Sequence, residues 1–124
     1  MRRLRRHQTN EANSGIEITV VDEPGEGGVC HGYRAEITAA NGAARDYVVD
    51  MAFQKGAIHG AGINGITEEV LLAILIDRLE GFQSGDFACR QNAIVLTKLE
   101  EALLWLEDRT REREARGVEG TEEE

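Results

Sequence analysis

Three arginines recur at helical spacing in the long second helix predicted near the C-terminus. Arg109, Arg113 and Arg116 stand at i, i+4 and i+7, which aligns their guanidinium groups along one side of a helix. A guanidinium fork matches pairs of phosphate oxygens, so this stripe predicts an anion-binding surface. The alternative is an ordinary solvated helix end, in which Glu112 and Glu114 neutralise their neighbours.

A second candidate cluster lies at the opposite end of the same helix. Phe82 falls in the turn before it, and Arg90, Gln91 and Asn92 fall in its first turns. A phenyl ring can stack on a nucleobase, an asparagine amide can pair with an adenine edge, and helix N-terminal amides favour anions. The alternative for Phe82 is a core contact that anchors the loop. In an antiparallel dimer this cluster meets the arginine stripe of the other chain, which predicts a site between subunits.

Catalytic residues are not evident in the sequence. Ser14 and Ser84 have no nucleophile motif around them. Glu100 and Glu101 are adjacent, so on a helix they point about 100° apart and cannot act as a carboxylate dyad. We therefore predict that the protein is not an enzyme.

The spacing of histidines and cysteines gives no metal pattern. His7, His31 and His59 form no H-E-x-x-H motif, and no C-x-x-C pair is present. Cys30 and Cys89 are far apart, which is typical of two small buried hydrophobic side chains in a reduced protein rather than of a disulfide scaffold. We predict no metal and no cofactor.

Charge is unevenly distributed along the 124 residues. The formal net charge is −9, yet residues 1–10 carry four arginines (+4), and residues 112–124 carry two arginines and six glutamates (−4). An acidic domain disfavours general DNA binding but leaves room for a small anion held by local arginines. There is no apolar run of ~20 residues and no apolar stretch after the basic start, so neither a membrane span nor a secretory signal is predicted.

The first half of the chain predicts a three-stranded antiparallel sheet. Alternating, β-branched patterns indicate strands over 16–21, 33–40 and 44–53, and Asn41-Gly42 is a strong hairpin signal between the last two.

A glycine-rich connection, residues 54–66, follows the sheet. Gly56, Gly60, Gly62 and Gly65 allow either a loop that approaches a phosphate closely or a sharp turn from sheet to helix. No P-loop pattern is present, and the connection is the favoured interpretation.

Two helices are predicted in the second half. Thr67 is the expected N-cap of the first, and Asp86 that of the second, which runs from about Phe87 to about Arg113. A leucine seam that can face another helix is predicted at Leu96, Leu99, Leu103 and Leu106.

The first helix is too apolar to face one small sheet, which predicts a homo-oligomer. The residues concerned are Leu71, Leu72, Ile74, Leu75, Ile76 and Leu79.

The expected fold class is therefore α+β: a small N-terminal antiparallel β-sheet followed by a C-terminal antiparallel two-helix hairpin. A flexible basic arm is expected at its start and an acidic tail at its end. The predicted boundaries are arm 1–14, a single domain 15–116 (sheet 16–53, connection 54–66, hairpin 67–116) and tail 117–124.

Residues 64–121 resemble the helical hairpin shared by two phage anti-defence sponge families. The segments RLEGFQSG, LTKLEEALLW and DRTREREARGVEG carry the resemblance. One family is the first type of Thoeris anti-defence protein, and the other is the anti-CBASS cyclic-oligonucleotide sponge. The strand-rich first half is similar to the Thoeris type, because the other family is nearly all helical.

The resemblance implies a homohexamer in the cytoplasm of the infected bacterial host that sequesters immune signalling nucleotides without cleaving them. The implied partners are cyclic ADP-ribose isomers from TIR-domain enzymes, and cyclic trinucleotides in separate sites. For the first ligand the matching residues are Phe82, Asn92, Arg109 and Arg113. For the trinucleotide the candidates are Arg90, Gln91, Ala93, Thr97 and Lys98. A phage structural protein without a small-molecule ligand, or an enzyme that hydrolyses the nucleotide, are the alternatives.

Overall fold

The computed structural model describes residues 1–38 and 45–117 and has an α+β architecture, as predicted. Its strands are β1 (Arg2–Leu4), β2 (Ile16–Val20), β3 (Gly32–Thr38) and β4 (Arg45–Ala52). Its α-helices are α1 (Glu11–Ser14), α2 (Ile58–Ala61), α3 (Glu68–Gln83) and α4 (Arg90–Ala115). The chain divides into two compact units, one ending at Ile66 and one beginning at Thr67.

The strands form one antiparallel sheet in the order β1-β2-β3-β4. Ile18 of β2 lies opposite Ala35 of β3, and Tyr33 of β3 lies opposite Met51 of β4. The predicted Asn41-Gly42 turn lies outside the described residues.

The N-terminal segment contributes a strand where the sequence predicted a flexible arm. Leu4 pairs opposite Ile18, and the Arg3 guanidinium lies 3.5 Å from the Glu17 carboxylate on the neighbouring strand. The Asn10 side chain accepts a hydrogen bond from the Asn13 amide and so caps α1. Arginines did not suggest a strand, but an edge strand is held by its backbone hydrogen bonds and tolerates charged side chains.

The interior of the first unit is small. Val20 is fully buried, and Cys30 is buried within the loop that joins β2 to β3. The Tyr33 and Phe53 rings meet edge to face with centroids 5.5 Å apart. Both cysteines are free thiols, but Cys89 is exposed, so the prediction that both are buried was wrong for Cys89.

The second unit is a hairpin of α3 and α4, joined by six residues and packed against each other. Thr67 is confirmed as the N-cap of α3, since its hydroxyl accepts a hydrogen bond from the Val70 amide. Asp86 is not the cap of α4. Cys89 takes that role, and the helix therefore begins at Arg90.

The predicted leucine seam is confirmed as the half-buried stripe of α4. Positions at spacings of three and four are half-buried, while most of their neighbours are exposed. This stripe comprises Asn92, Leu96, Leu99, Leu103, Leu106, Thr110 and Arg113. The seam is therefore apolar in its middle and polar at both ends.

Candidate functional site

An aromatic ring and a cation lie together at the loop end of the hairpin. Phe82 lies in the last turn of α3, not in the turn between the helices where the sequence predicted it. Its side chain is 39% exposed, and the Arg78 guanidinium carbon lies 5.6 Å from its ring centroid. The Gln83 side-chain oxygen accepts a hydrogen bond of 3.0 Å from the Cys89 amide, which holds the connecting loop against the end of α3. We call Arg78, Phe82 and the first turn of α4 the aromatic cluster. Arg78 was not among the predicted site residues, although its i, i+4 spacing to Phe82 is visible in the sequence.

The first turn of α4 supplies the polar part of the aromatic cluster. The Cys89 sulfur accepts a hydrogen bond of 3.4 Å from the Asn92 amide, which sets the start of the helix. Arg90 and Gln91 are exposed, whereas Asn92 is half-buried at the end of the seam. This first turn contains no acidic residue, so its amide dipoles and the Arg90 charge both favour an anion.

The proposed trinucleotide residues occupy exposed positions on the first turns of α4. On a helical projection Arg90, Ala93 and Thr97 group on one side of the seam, and Gln91 and Lys98 group on the other. The structure thus brings these five residues to one end of the hairpin, but not to a single face of the helix.

The three arginines of the stripe differ in their exposure and in their ion pairing. Arg109 is exposed and forms no ion pair within the part of the chain that the structure describes. Arg113 is half-buried on the seam. The Arg116 guanidinium lies 3.6 Å from the Glu112 carboxylate one turn away, so the solvated-helix interpretation holds for that residue. The roles predicted for Arg109 and Arg113 as anion ligands stay predictions.

The two clusters lie at opposite ends of α4. Asn92 and Arg109 are separated by about 25 Å along the axis, since each helical residue advances 1.5 Å. Phe82 lies at the Asn92 end, because the short loop joins α3 to α4 there. A single hairpin therefore does not bring Phe82 and Asn92 together with Arg109 and Arg113.

Large apolar side chains also face solvent on both helices of the hairpin. Trp105 is 68% exposed and Leu104 is 60% exposed on α4, and Ile74 is 53% exposed on α3. Val70, Leu75, Ile94 and Val95 are also exposed. Apolar side chains this large and this exposed are candidates for contact with another protein chain.

The glycine-rich connection is closed by its own hydrogen bonds. The Gln54 side chain donates to the carbonyl oxygens of Gly56 (3.1 Å) and Gly62 (2.8 Å). The Asn64 side chain accepts from the Lys55 amide and donates to the Lys55 carbonyl, each at 2.8 Å. A Cβ at Gly65 would lie 2.4 Å from the Phe53 carbonyl carbon, so close backbone packing explains this glycine. The structure supports the connection rather than the phosphate loop.

A shallow pocket of about 280 Å³ lies beside this connection. The Asp22 carboxylate accepts hydrogen bonds from the amides of His31 (2.9 Å) and Gly32 (3.0 Å), which hold the pKa of Asp22 below its usual value. His31 is buried, and its Nδ1 atom has no hydrogen-bond partner and lies 3.9 Å from an Asp22 oxygen. Sequence reasoning missed this pair because its members are nine residues apart in irregular structure. The Asp22 carboxylate joins the start of the loop to its end through these two hydrogen bonds, and this stabilises the loop locally.

Possible metal ligands are not grouped in the described ranges. No group of three or more His, Cys, Asp or Glu residues there could hold a metal ion. The Ser84 hydroxyl is used in a hydrogen bond to the Gly81 carbonyl at the end of α3. Within the same ranges no helix is long and apolar enough to cross a membrane.

Comparison with known proteins places the hairpin in a phage family. The family model described as the Acb2/Tad1 hairpin domain matches residues 45–111, from β4 to the last turns of α4. A protein of Bacillus phage SBSphiJ7 described as Thoeris anti-defense 1 is 56% identical over 71 residues, which is 57% of this chain and 50% of that protein. The match therefore spans half the length of that relative. The resemblance found in the sequence is confirmed: this chain belongs to the Acb2/Tad1 hairpin-domain family.

Proposed function

We propose that this protein is a phage anti-defence sponge that binds cyclic ADP-ribose isomers from TIR-domain enzymes and holds them without cleavage. The observation that carries the proposal is the hairpin match to a relative whose name describes anti-defence against Thoeris. Sequestration inside the infected bacterial cell would keep the signal from its effector. The exposed Phe82 ring and the unpaired Arg109 guanidinium supply the two kinds of contact that a nucleotide needs.

The proposed site for the cyclic ADP-ribose isomer is shared between two chains. Phe82 and Asn92 of one chain stack on and pair with the adenine, while Arg109 and Arg113 of another chain bind the phosphates. The separation of about 25 Å between the two pairs along α4 requires a second chain. An antiparallel pair of hairpins forms two such sites, because a two-fold axis makes each contact between the chains reciprocal.

The exposed apolar side chains of the hairpin support this assembly. Trp105 and Leu104 lie on α4 between the two clusters, so burying them against a second hairpin would keep the chains in the register that the site needs. A homohexamer is proposed from the family resemblance alone.

The strength of such a site is sufficient for tight capture. Each stacked base contributes about 1–3 kcal/mol, and hydrogen bonds to charged groups contribute about 1.5–3 kcal/mol each. Nanomolar binding needs about 12 kcal/mol, which one stack and four charged hydrogen bonds from two arginines reach at the upper end of these ranges.

A second ligand class, the cyclic trinucleotides, is proposed for the exposed first turns of α4. Arg90 and Lys98 provide cations there, and Gln91 and Thr97 provide hydrogen-bonding groups beside them. Because these residues fall on two sides of the seam, a trinucleotide would contact them at a junction of several chains.

One experiment separates the sponge from its alternatives. The protein is incubated with a cyclic ADP-ribose isomer, the unbound nucleotide is measured after filtration, and the bound fraction is released by heat and identified by mass spectrometry. Depletion followed by recovery of the intact compound is expected of a sponge. Recovery of a linear product would show an enzyme. Absence of depletion would favour an oligomeric phage protein without a small-molecule ligand, the alternative that the exposed apolar surface also fits.

A further inference from the structure

The arrangement of Arg78 and Phe82 has a consequence for how the aromatic cluster receives a ligand. The two residues are one turn apart on α3, and the guanidinium lies over the ring at 5.6 Å from its centroid. This distance is within the range of a cation–π interaction. Arg78 forms no ion pair with a carboxylate in the described part of the chain, so the ring is the partner that the structure assigns to its charge.

A phenyl ring has two faces, and a cation over one face leaves the other for a flat ligand. Phe82 keeps 39% of its surface accessible despite this contact. An exposed phenylalanine near a helix end otherwise exchanges between side-chain rotamers, which weakens stacking because the ring must be ordered on binding.

We propose that Arg78 is a positioning residue that holds the Phe82 ring so that its opposite face receives the nucleobase of the ligand. This inference rests on the proposed function. It adds the requirement that Arg78 acts through the ring and does not itself bind the phosphates.

The test compares variants of Arg78 in the full-length protein, with a purified cyclic ADP-ribose isomer as the probe in calorimetry. Arg78→Gln removes the charge and is expected to weaken binding about fivefold, the effect of one exposed cation–π contact. Arg78→Lys retains a cation and is expected to restore most of the affinity. Arg111→Gln is the matched control, since Arg111 is an exposed arginine that lies near Asp108 instead of a ring. It is expected to leave affinity unchanged, and an equal loss in this control would overturn the inference.

A double-variant cycle distinguishes positioning from direct contact. In a Phe82→Leu background, Arg78→Gln is expected to have almost no further effect, because no ring remains to be held. Additive losses would mean that Arg78 binds the nucleotide itself, which overturns the inference and leaves the proposed function intact. Unchanged binding by Phe82→Leu alone would overturn the proposed site and this inference together.

A spectroscopic readout covers the case in which Arg78→Gln perturbs folding. The δ-methylene protons of Arg78 should show an upfield ring-current shift in the NMR spectrum of the free protein. The shift should persist when the probe is bound and disappear in Phe82→Leu. Loss of the shift on binding would show that Arg78 leaves the ring, against the inference.

Discussion

Complementation between two variants with weakened binding tests the proposal that one site contains residues of two chains. Phe82→Ala removes the stacking ring at the loop end of the hairpin, and Arg109→Ala removes a guanidinium near the other end of α4, about 25 Å along that helix from Asn92. Loss of a base stack costs about 1–3 kcal/mol, which weakens binding roughly five- to 150-fold. Loss of a charged hydrogen bond costs about as much. Neither change lies in the leucine seam, so the hairpin should stay folded.

The fraction of sites that regain wild-type affinity when the two variants are mixed follows from two-fold symmetry. In a dimer that pairs one chain of each variant, one site contains both substitutions, and the other contains an intact Phe82 and an intact Arg109. Random assortment makes about half of the dimers mixed, and half of the sites in each are intact, so about a quarter of all sites should recover wild-type affinity.

The assay co-expresses the two variants with different affinity tags and isolates the mixed species through both tags. Stoichiometry of tight binding is then measured by calorimetry with a cyclic ADP-ribose isomer. Mixed dimers selected in this way should show half of the wild-type number of tight sites, and mixed hexamers of random composition should show about a quarter. Mixed oligomers without tight sites would refute the reasoning, as would full binding by either variant alone.

Three further predictions concern stability and assembly. Gly65→Ala should lower the free energy of unfolding by about 3 kcal/mol in urea denaturation, because its Cβ would collide with the Phe53 backbone, whereas Gly60→Ala meets nothing within 4 Å and should have little effect. The pKa of Asp22 is lowered by two backbone amides, so its contribution to stability is present above the unfolded value near pH 4 and is lost as pH falls through the lowered folded value. Asp22→Asn should therefore reduce the thermal midpoint at pH 7, and the difference from wild type should shrink below about pH 4; an equal difference at both pH values would contradict this cause. Trp105→Glu should reduce the oligomer mass in light scattering without loss of helicity, whereas Glu101→Gln, also exposed on α4, should not; an unchanged mass for both variants would exclude this surface from the interface.

Helical features were largely predictable because the interactions that create them are local. The Thr67 cap depends on a residue three positions away, and the leucine seam depends on spacing along one helix. The error at Asp86 is also instructive. A carboxylate is the commoner cap, but the bond between Gln83 and the Cys89 amide extends the loop by three residues and places the sulfur at the helix start.

Features that depend on distant residues were not predictable from pattern. β1 exists because its backbone pairs with β2, an interaction that its arginines do not encode. The bond from Asp22 to the His31 amide requires a loop to turn back on itself, and neither residue type signals it.

The sequence by itself determined the family, the α+β class and the residues of the proposed nucleotide site, since each depends on residue type and short-range spacing. Only the tertiary structure decided that Arg116 pairs with Glu112 and that Arg78 covers one face of Phe82. The placement of Phe82 and Arg109 at opposite ends was already predicted from the sequence, and the structure confirms that these are the two ends of one hairpin. The physical reason is that each residue of a helix advances a fixed distance along its axis, so residues far apart in the helix cannot meet within one chain. A site that uses residues from both ends therefore needs a second chain.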